Sequence, residues 1–433
     1  MAPRVAPAPS LENPPAQADV VIAGGGIVGV SAALFLARRG ISVALCEKGV
    51  IAGEQSSRNW GWCRMTLRDP AEIPLMAESL RLWRDPLRLG GADTGFRTTG
   101  LMYLCDRPED APRFEAWLEH ARRHQLDSRL LSGAEVGRLL PGAARGWTGA
   151  LYTASDGGAE PEKAAPAIAA AAGRAGAALV AGCAVRGLET RGGRVSAAVT
   201  ERGRIACQAV LLAGGAWSGL FCASLGIRLP QLNVLGSVMR TAPLDGGPEV
   251  SAAGARFGFR KRADGGYIVS RAGATIADIV PDSFRFIGDF WPMLKREWRH
   301  QRFRLGWRFV EEWRRPRRWD LDRRSPFEEV RILDPRPSDK VLDAAAQEIA
   351  KDLPVFAGAA IAERWGGMID VTPDGLPVIS PVARLPGFYL ATGFSGHGFG
   401  IGPGAGQLAA AMVAGDAGRA ELEPFRLERL DRG

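Results

Sequence analysis

Apolar residues along this chain fall in short clusters whose period switches between that of strands and that of helices. Asp19-Val20-Val21-Ile22-Ala23 predicts a short buried strand running into Gly24-Gly25-Gly26-Ile27-Val28-Gly29. Val30 to Arg39 predicts a helix stopped by Gly40, and Ile41 to Leu45 a second strand ending at Glu47. Further on, Ala-rich Pro161 to Ala178 predicts a helix and Leu179 to Val185 a strand. Val210-Leu211-Leu212 then predicts a strand closing in the small residues Ala213-Gly214-Gly215-Ala216 and in Trp217. Phe96 to Cys105 and Leu232 to Ser270 alternate as strands of a second sheet, broken by turns such as Ala263-Asp264-Gly265-Gly266. Near the C-terminus, Leu385 to Gly393 predicts a strand, Phe394 to Gly406 a glycine-rich loop, and Gln407 to Ala414 a helix. The expected class is α/β plus antiparallel β, the two interleaved along the chain.

The first unit is β-α-β with G-x-G-x-x-G at its turn, a pattern that needs each glycine. Gly24 permits the tight turn, Gly26 lets the backbone approach a pyrophosphate, and Gly29 lets the helix pack closely. The helix N-terminus offers free N–H groups and partial positive charge to phosphates. Glu47, followed by Lys48, ends the second strand where a carboxylate can take ribose hydroxyls. FAD and NAD both use this unit, so it does not select the cofactor. A second polar loop follows, Gly53-Glu54-Gln55-Ser56-Ser57-Arg58-Asn59-Trp60-Gly61-Trp62, whose two Trp residues argue against an exposed loop. The C-terminal loop, with Gly396, His397, Gly398, Phe399, Gly400 and Ile401, sets another helix N-terminus where negative charge can be stabilised.

Composition bounds the rest. With 433 residues and 46% hydrophobic content, the chain can build two domains of ordinary size. It contains no apolar stretch long enough to span a bilayer. Residues 1–18 are rich in Pro and Ala, lack a signal-peptide layout, and predict a disordered leader, hence a cytoplasmic protein. Cys46, Cys63, Cys105, Cys183, Cys207 and Cys222 show no CxxC spacing, which fits reduced thiols. His120 and His124 lie in a charged stretch that reads as a solvated helix face, so no metal is expected.

The net charge of +8 is concentrated between Lys295 and Arg324, where one Lys and eleven Arg face five acids. Trp291, Trp298, Trp307, Trp313 and Trp319 are interleaved in this region. Three readings of residues 283–324 stay open: a lid or dimer element, a peripheral contact with anionic lipid, and nucleic-acid binding. No nucleic-acid motif accompanies the arginines, so no nucleic-acid partner is expected.

Together these segments resemble the D-amino-acid-oxidase-like superfamily of FAD-dependent oxidoreductases. The C-terminal half is more similar still to bacterial L-amino-acid deaminases and oxidases. Arg260 to Arg271, Ser325 to Arg331, Leu353 to Phe356, Glu363-Arg364-Trp365-Gly366-Gly367 and Thr372 to Ile379 carry that second resemblance. It implies a Rossmann-like FAD-binding domain (19–95, 150–225 and 355–420) interleaved with a substrate-binding domain on an antiparallel sheet (96–149 and 226–354). Residues 283–324 would be a helical insertion.

The resemblance further implies noncovalent FAD, since no Cys follows Cys222 and no His lies in the N-terminal loop. Gln55, Ser56, Ser57, Arg58, Asn59 and Trp60 would run beneath the pyrophosphate and flavin, Val185 would meet the adenine, and Ala213, Gly214 and Trp217 would return beneath the dinucleotide. Arg271 would clamp the substrate carboxylate, with Trp365 and His397 as site residues and Arg64 as an alternative cation.

The implied reaction is flavin-mediated oxidation of the Cα–N bond of an α-amino acid, of L configuration, to an imino acid that hydrolyses to keto acid and ammonia. Electrons would pass to O2 or to a membrane acceptor, in a homo-oligomer. The alternatives are a D-amino-acid or secondary-amine dehydrogenase coupled to a membrane acceptor, and a non-catalytic flavoprotein subunit.

Overall fold

The structure, a computed structural model, describes residues 3–271, 273–297 and 302–431. Trp298 and His300 of the basic segment lie outside the described residues, as do the first two residues of the leader.

The first sheet orders its strands Val378–Pro381, Phe388–Thr392, Ala209–Leu212, Val20–Ala23, Val43–Glu47 and Ala178–Ala181. All neighbours run parallel except the Val378–Pro381 strand. A parallel sheet must be covered on both faces, and it is. One face carries the Ile27–Ala37 helix with the Ile73–Arg84, Pro161–Arg174 and Gly398–Ala414 helices. The other carries the antiparallel ribbon formed by Val185–Arg191, Arg194–Thr200 and Gly203–Ala206, with Trp217, Phe221 and Phe327. Every residue of the Ile27–Ala37 helix except Phe35 is buried, as expected of a helix apolar on all sides.

The second sheet centres on the strand Leu232–Thr241, which pairs antiparallel with Tyr267–Ser270, Ile276–Asp278 and Ile361–Val371. Its far half runs through Gly258–Lys261, Ser251–Ala253, Leu101–Leu104, Gly149–Thr153 and Ser128–Ser132. Two contacts are parallel: Ser251↔Leu101, and Ile276↔Arg302 at the insertion. One face packs on the Asp339–Asp352 helix through Phe259, Tyr267, Leu342 and Phe356. The other turns Val238, Ile268 and Trp365 towards Trp60.

Four expectations change. The leader is not loose, because Leu11 donates to Leu179 O (2.7 Å), Ala206 to Ala16 O (2.9 Å) and Ala18 to Ala206 O (3.0 Å). An extended, proline-rich segment has few N–H groups, and here its backbone pairs with edge strands of both the first sheet, at Leu179, and the antiparallel ribbon, at Ala206. The expected boundaries also shift. Gly149–Thr153 and Ile361–Val371 lie in the second sheet, since each finds its pairing partners there. The Leu179–Val185 strand is two elements, broken at Gly182, where φ is +59°. Finally, the C-terminal helix begins at Gly398 rather than Gln407. Its glycines are helical because neighbours leave no room: a Cβ on Gly402 would stand 2.8 Å from Ile27, and one on Gly406 2.4 Å from Ser31.

Candidate functional site

Parallel strands deliver their following loops to one edge of the sheet, and a cleft opens there. Gly24, Gly26, Ile27 and Val28 line it at the start of the first helix. Gly24 has φ +115°, and a Cβ there would meet Ala213 O at 2.4 Å. Gly29 lies behind, since its Cβ would stand 2.1 Å from Gly24 O. Only a chain without side chains at these points lets helix, turn and ligand meet.

Glu47 lines the cleft, accepting from Gly25 N (2.7 Å) and Gly49 N (2.8 Å). Burial raises its pKa against these donors, and each oxygen keeps a lone pair for a further donor. Lys48 Nζ donates to Glu54 (2.6 Å) and lies 4.4 Å from the Trp217 ring centre. Trp217 is fixed in turn, its indole N–H donating to both Glu54 oxygens at 3.1 Å. Val185, Ala213 and Gly214 complete this end.

The second loop is a short helix, Gln55–Arg58. Gln55, Ser56 and Asn59 line the cleft. Ser56 Oγ accepts from Ile27 N at 2.9 Å, and Gln55 Oε1 is buried without a partner. Ser57 and Arg58 do not line it. Ser57 donates to Glu54 O. Arg58 is 2% exposed and spends its guanidinium on Gly53 O (3.2 Å), Gly366 O (2.9 Å) and Asp334 (2.6 Å). That clamps the loop to the second sheet and turns the guanidinium away from the cleft. Trp60 also faces away, packed on Trp62 at 4.6 Å and on the second sheet.

At the opposite end, Gly396, Gly398 and Phe399 present the N-terminus of the C-terminal helix to the cleft. Gly400 and Ile401 sit behind it. Gly400 O accepts from Ser79 and Trp83 (both 2.7 Å), and Ile401 is fully buried. Sequence reasoning missed Asp370, which lines the cleft and accepts from Gly393 N (2.8 Å) and Gln231 (3.2 Å). Burial raises its pKa. Its signal was an acid in the apolar run Met368-Ile369-Asp370-Val371.

The four substrate candidates stand outside this cleft. Trp365 is core, 2% exposed, donating to Arg58 O at 3.0 Å. Arg64 donates to Thr66 O and lies over Tyr103. Arg271 is half-buried at the end of Tyr267–Ser270, and among the described residues its guanidinium makes no hydrogen bond or ion pair. His397 Nδ1 lies 3.2 Å from Glu72. Its carbonyl accepts from Arg68 (3.1 Å). Burial first, then the Arg68 charge, lowers the His397 pKa, so its ring is held neutral. Burial would raise Glu72, but His397 and Arg68 outweigh it and hold the carboxyl low. Glu72 and Arg68 were also missed, because nothing local marks them.

No metal-binding cluster occurs among the described residues, and the six cysteines are buried and unpaired.

Comparison with known proteins bears on the same elements. The L-amino acid deaminase of Proteus myxofaciens, solved with anthranilate, superposes with a TM-score of 0.93 at 35% identity, over 100% of both chains. That of Proteus vulgaris gives 0.92 at 31% identity, over 97% of this chain and 99% of the other. Sarcosine oxidase subunit beta of an Arthrobacter species is 28% identical over 96% of this chain and 91% of its own. The DAO family, FAD-dependent oxidoreductases, matches residues 19–412. The cleft fits its cofactor, with glycines where phosphates pass and an acid where the second strand ends. Over residues 19–412, this chain belongs to the DAO family of FAD-dependent oxidoreductases, and is an enzyme of the amino-acid-oxidising kind.

Proposed function

We propose that the protein oxidises the Cα–N bond of an L-α-amino acid to the imino acid, which water converts to a 2-keto acid and ammonia. Bound FAD supplies the two-electron acceptor, and O2 takes the electrons on as hydrogen peroxide. Arg271 carries this reading. The arginines of the neighbouring strand are saturated, Arg260 by Glu160 (2.9 Å) and Arg262 by Glu162 (2.6 Å). Arg271 alone of these three has no acid among the described residues, which is the state expected of a residue waiting for a substrate carboxylate.

In this reading Glu47 and Val185 take the adenosine, and Gly24, Gly26, Ile27 and Val28 take the pyrophosphate. Gln55, Ser56, Asn59, Gly396, Gly398 and Phe399 take the flavin. The neutral His397 adds no positive charge beside the helix N-terminus and stands as a side-chain contact for the substrate. The FAD is held noncovalently, so acid precipitation should leave it in the supernatant.

An anaerobic screen of both enantiomers of the common amino acids, reading loss of the oxidised-flavin absorbance, tests the proposal. Bleaching by L-amino acids, with stoichiometric peroxide in air, is expected. Bleaching only by D-amino acids or N-methyl amines would install the secondary-amine reading, which the likeness to sarcosine oxidase subunit beta favours. Bleaching by no amine would leave a non-catalytic subunit.

We propose a cytoplasmic homo-oligomer as the setting. No described helix is long and apolar enough to cross a membrane. Peripheral contact with anionic lipid is favoured by the insertion, where Trp307 (66%) and Trp313 (71%) are exposed beside Arg314.

A further inference from the structure

The insertion returns to the first sheet through a strap, residues 315–325, that the reading above does not use. Arg315 leaves the Trp307–Arg314 helix and places its guanidinium 5.3 Å from the centre of the Trp217 ring. Lys48 lies 4.4 Å from the same ring, and Glu54 holds its N–H. Among the described residues Arg315 makes no ion pair, whereas Arg308 meets Glu312 and Arg317 meets Asp282.

Four residues on, Trp319 stands edge-on to Phe327, with ring centres 5.3 Å apart and planes at 87°. Its indole N–H donates to Arg186 O at 2.9 Å. Arg186 closes the loop, binding both Glu328 oxygens (2.8 and 2.9 Å) and Leu321 O (3.3 Å). Phe327 meets Trp217 at 5.9 Å and Phe221 at 5.8 Å. Trp217, Phe221 and Phe327 are cleft walls, at the end that also holds Glu47 and Val185. Trp217 and Phe327 are buried, and the strap covers them from outside.

We infer that this strap is a clasp on the cofactor. Arg315 and Trp319 are positioning residues that never touch FAD. They hold Trp217 and Phe327 in place, and so set how fast FAD leaves through the adenosine end. A cation over an indole and an edge-to-face aromatic contact each restrain a ring in orientation as well as position. The inference rests on the assignment of this end to adenosine.

The test is FAD release from the holoenzyme, followed as the rise of flavin fluorescence on dilution. Trp319→Ala should release FAD about tenfold faster than the unaltered protein. Arg315→Gln should do so about threefold faster, with an effect that shrinks in high salt. Trp313→Ala, in the insertion but off the strap, should stay within about twofold. Melting temperature at saturating FAD should fall no further in the strap variants than in Trp313→Ala. Release rates matching that control, or a matching collapse in melting temperature, would overturn the clasp. Arg315→Gln removes only a half-buried charge, so it decides the matter even if Trp319→Ala does not fold. Glu47→Ala separates the two claims. If it leaves FAD release unchanged, the adenosine assignment fails. If it speeds release while the strap variants do not, only the clasp fails.

Discussion

Arg271 differs from its neighbours in lacking a carboxylate, so its removal should leave the fold intact. Arg271→Ala should raise KM by a contact of about 2–4 kcal/mol, roughly 30- to 1000-fold, with FAD retained. An unchanged KM for every good substrate would move the clamp to another cation. Arg64 is then the next choice, since Arg260 is locked by Glu160 and Trp60 O. Around His397 the charged groups are Arg68, Glu72 and Arg64, and burial, ahead of them, sets the sign of its response to pH. Its folded pKa lies below the usual 6.5, so the fold prefers the neutral ring. That contribution is complete above 6.5 and is lost as pH falls through the folded value. Glu72, also lowered, acts in the same direction at more acid pH, being lost below its usual 4.5. The contribution of this pair to the melting temperature should therefore shrink as pH drops from neutrality, opposed by Glu47, Asp156 and Asp370, whose carboxyls burial raises. Arg68→Gln should raise the His397 pKa in an NMR titration, and an unmoved value would show that the Arg68 charge does not reach the ring.

At the scale of elements, glycines with different surroundings should respond oppositely to a side chain. Gly406→Val would force a branched chain into the contact with Ser31 and should cost about 1–3 kcal/mol or more. Gly137, inside the Gly133–Leu139 helix, has nothing within 4 Å of its Cβ position. Gly137→Ala should stabilise by about 0.5–1 kcal/mol. Denaturant midpoints would read both, and equal signs would refute the packing argument. The same contrast explains what could be read beforehand. The β-α-β turn was legible because its glycines, strand and acid are local and periodic, and the strands from Leu232 to Ser270 because they alternate. The Gly398–Ala414 helix was legible only in its second half. Its first half has the composition of a loop, and only the helix packed against it makes those glycines helical. Arg58 was misread for a related reason: a loop arginine next to a nucleotide motif suggests phosphate, while its partners Gly366 and Asp334 are about 300 positions away. Glu72 and His397, far apart in sequence, left no trace of their pairing.

At the scale of the whole molecule, the surplus of charge is a surface property of one insertion. If its exposed Trp307 and Trp313 meet lipid, the protein should sediment with anionic vesicles at low salt and detach at high salt. Trp307→Ser with Trp313→Ser should abolish sedimentation while leaving amino-acid turnover in solution unchanged, and sedimentation that survives them would place the contact elsewhere. The interleaving of the two sheets has a consequence in time. Val20–Ala23 and Val43–Glu47 leave the ribosome early, but Val210 waits for Phe388 before its strand is flanked on both sides. The helix that closes the cleft starts only at Gly398. At about 5–20 residues per second, the growing chain spends many seconds with its glycine turn made and its cleft unfinished. Cofactor loading is thereby a late event of synthesis, and nascent chains halted before Phe388 should emerge colourless.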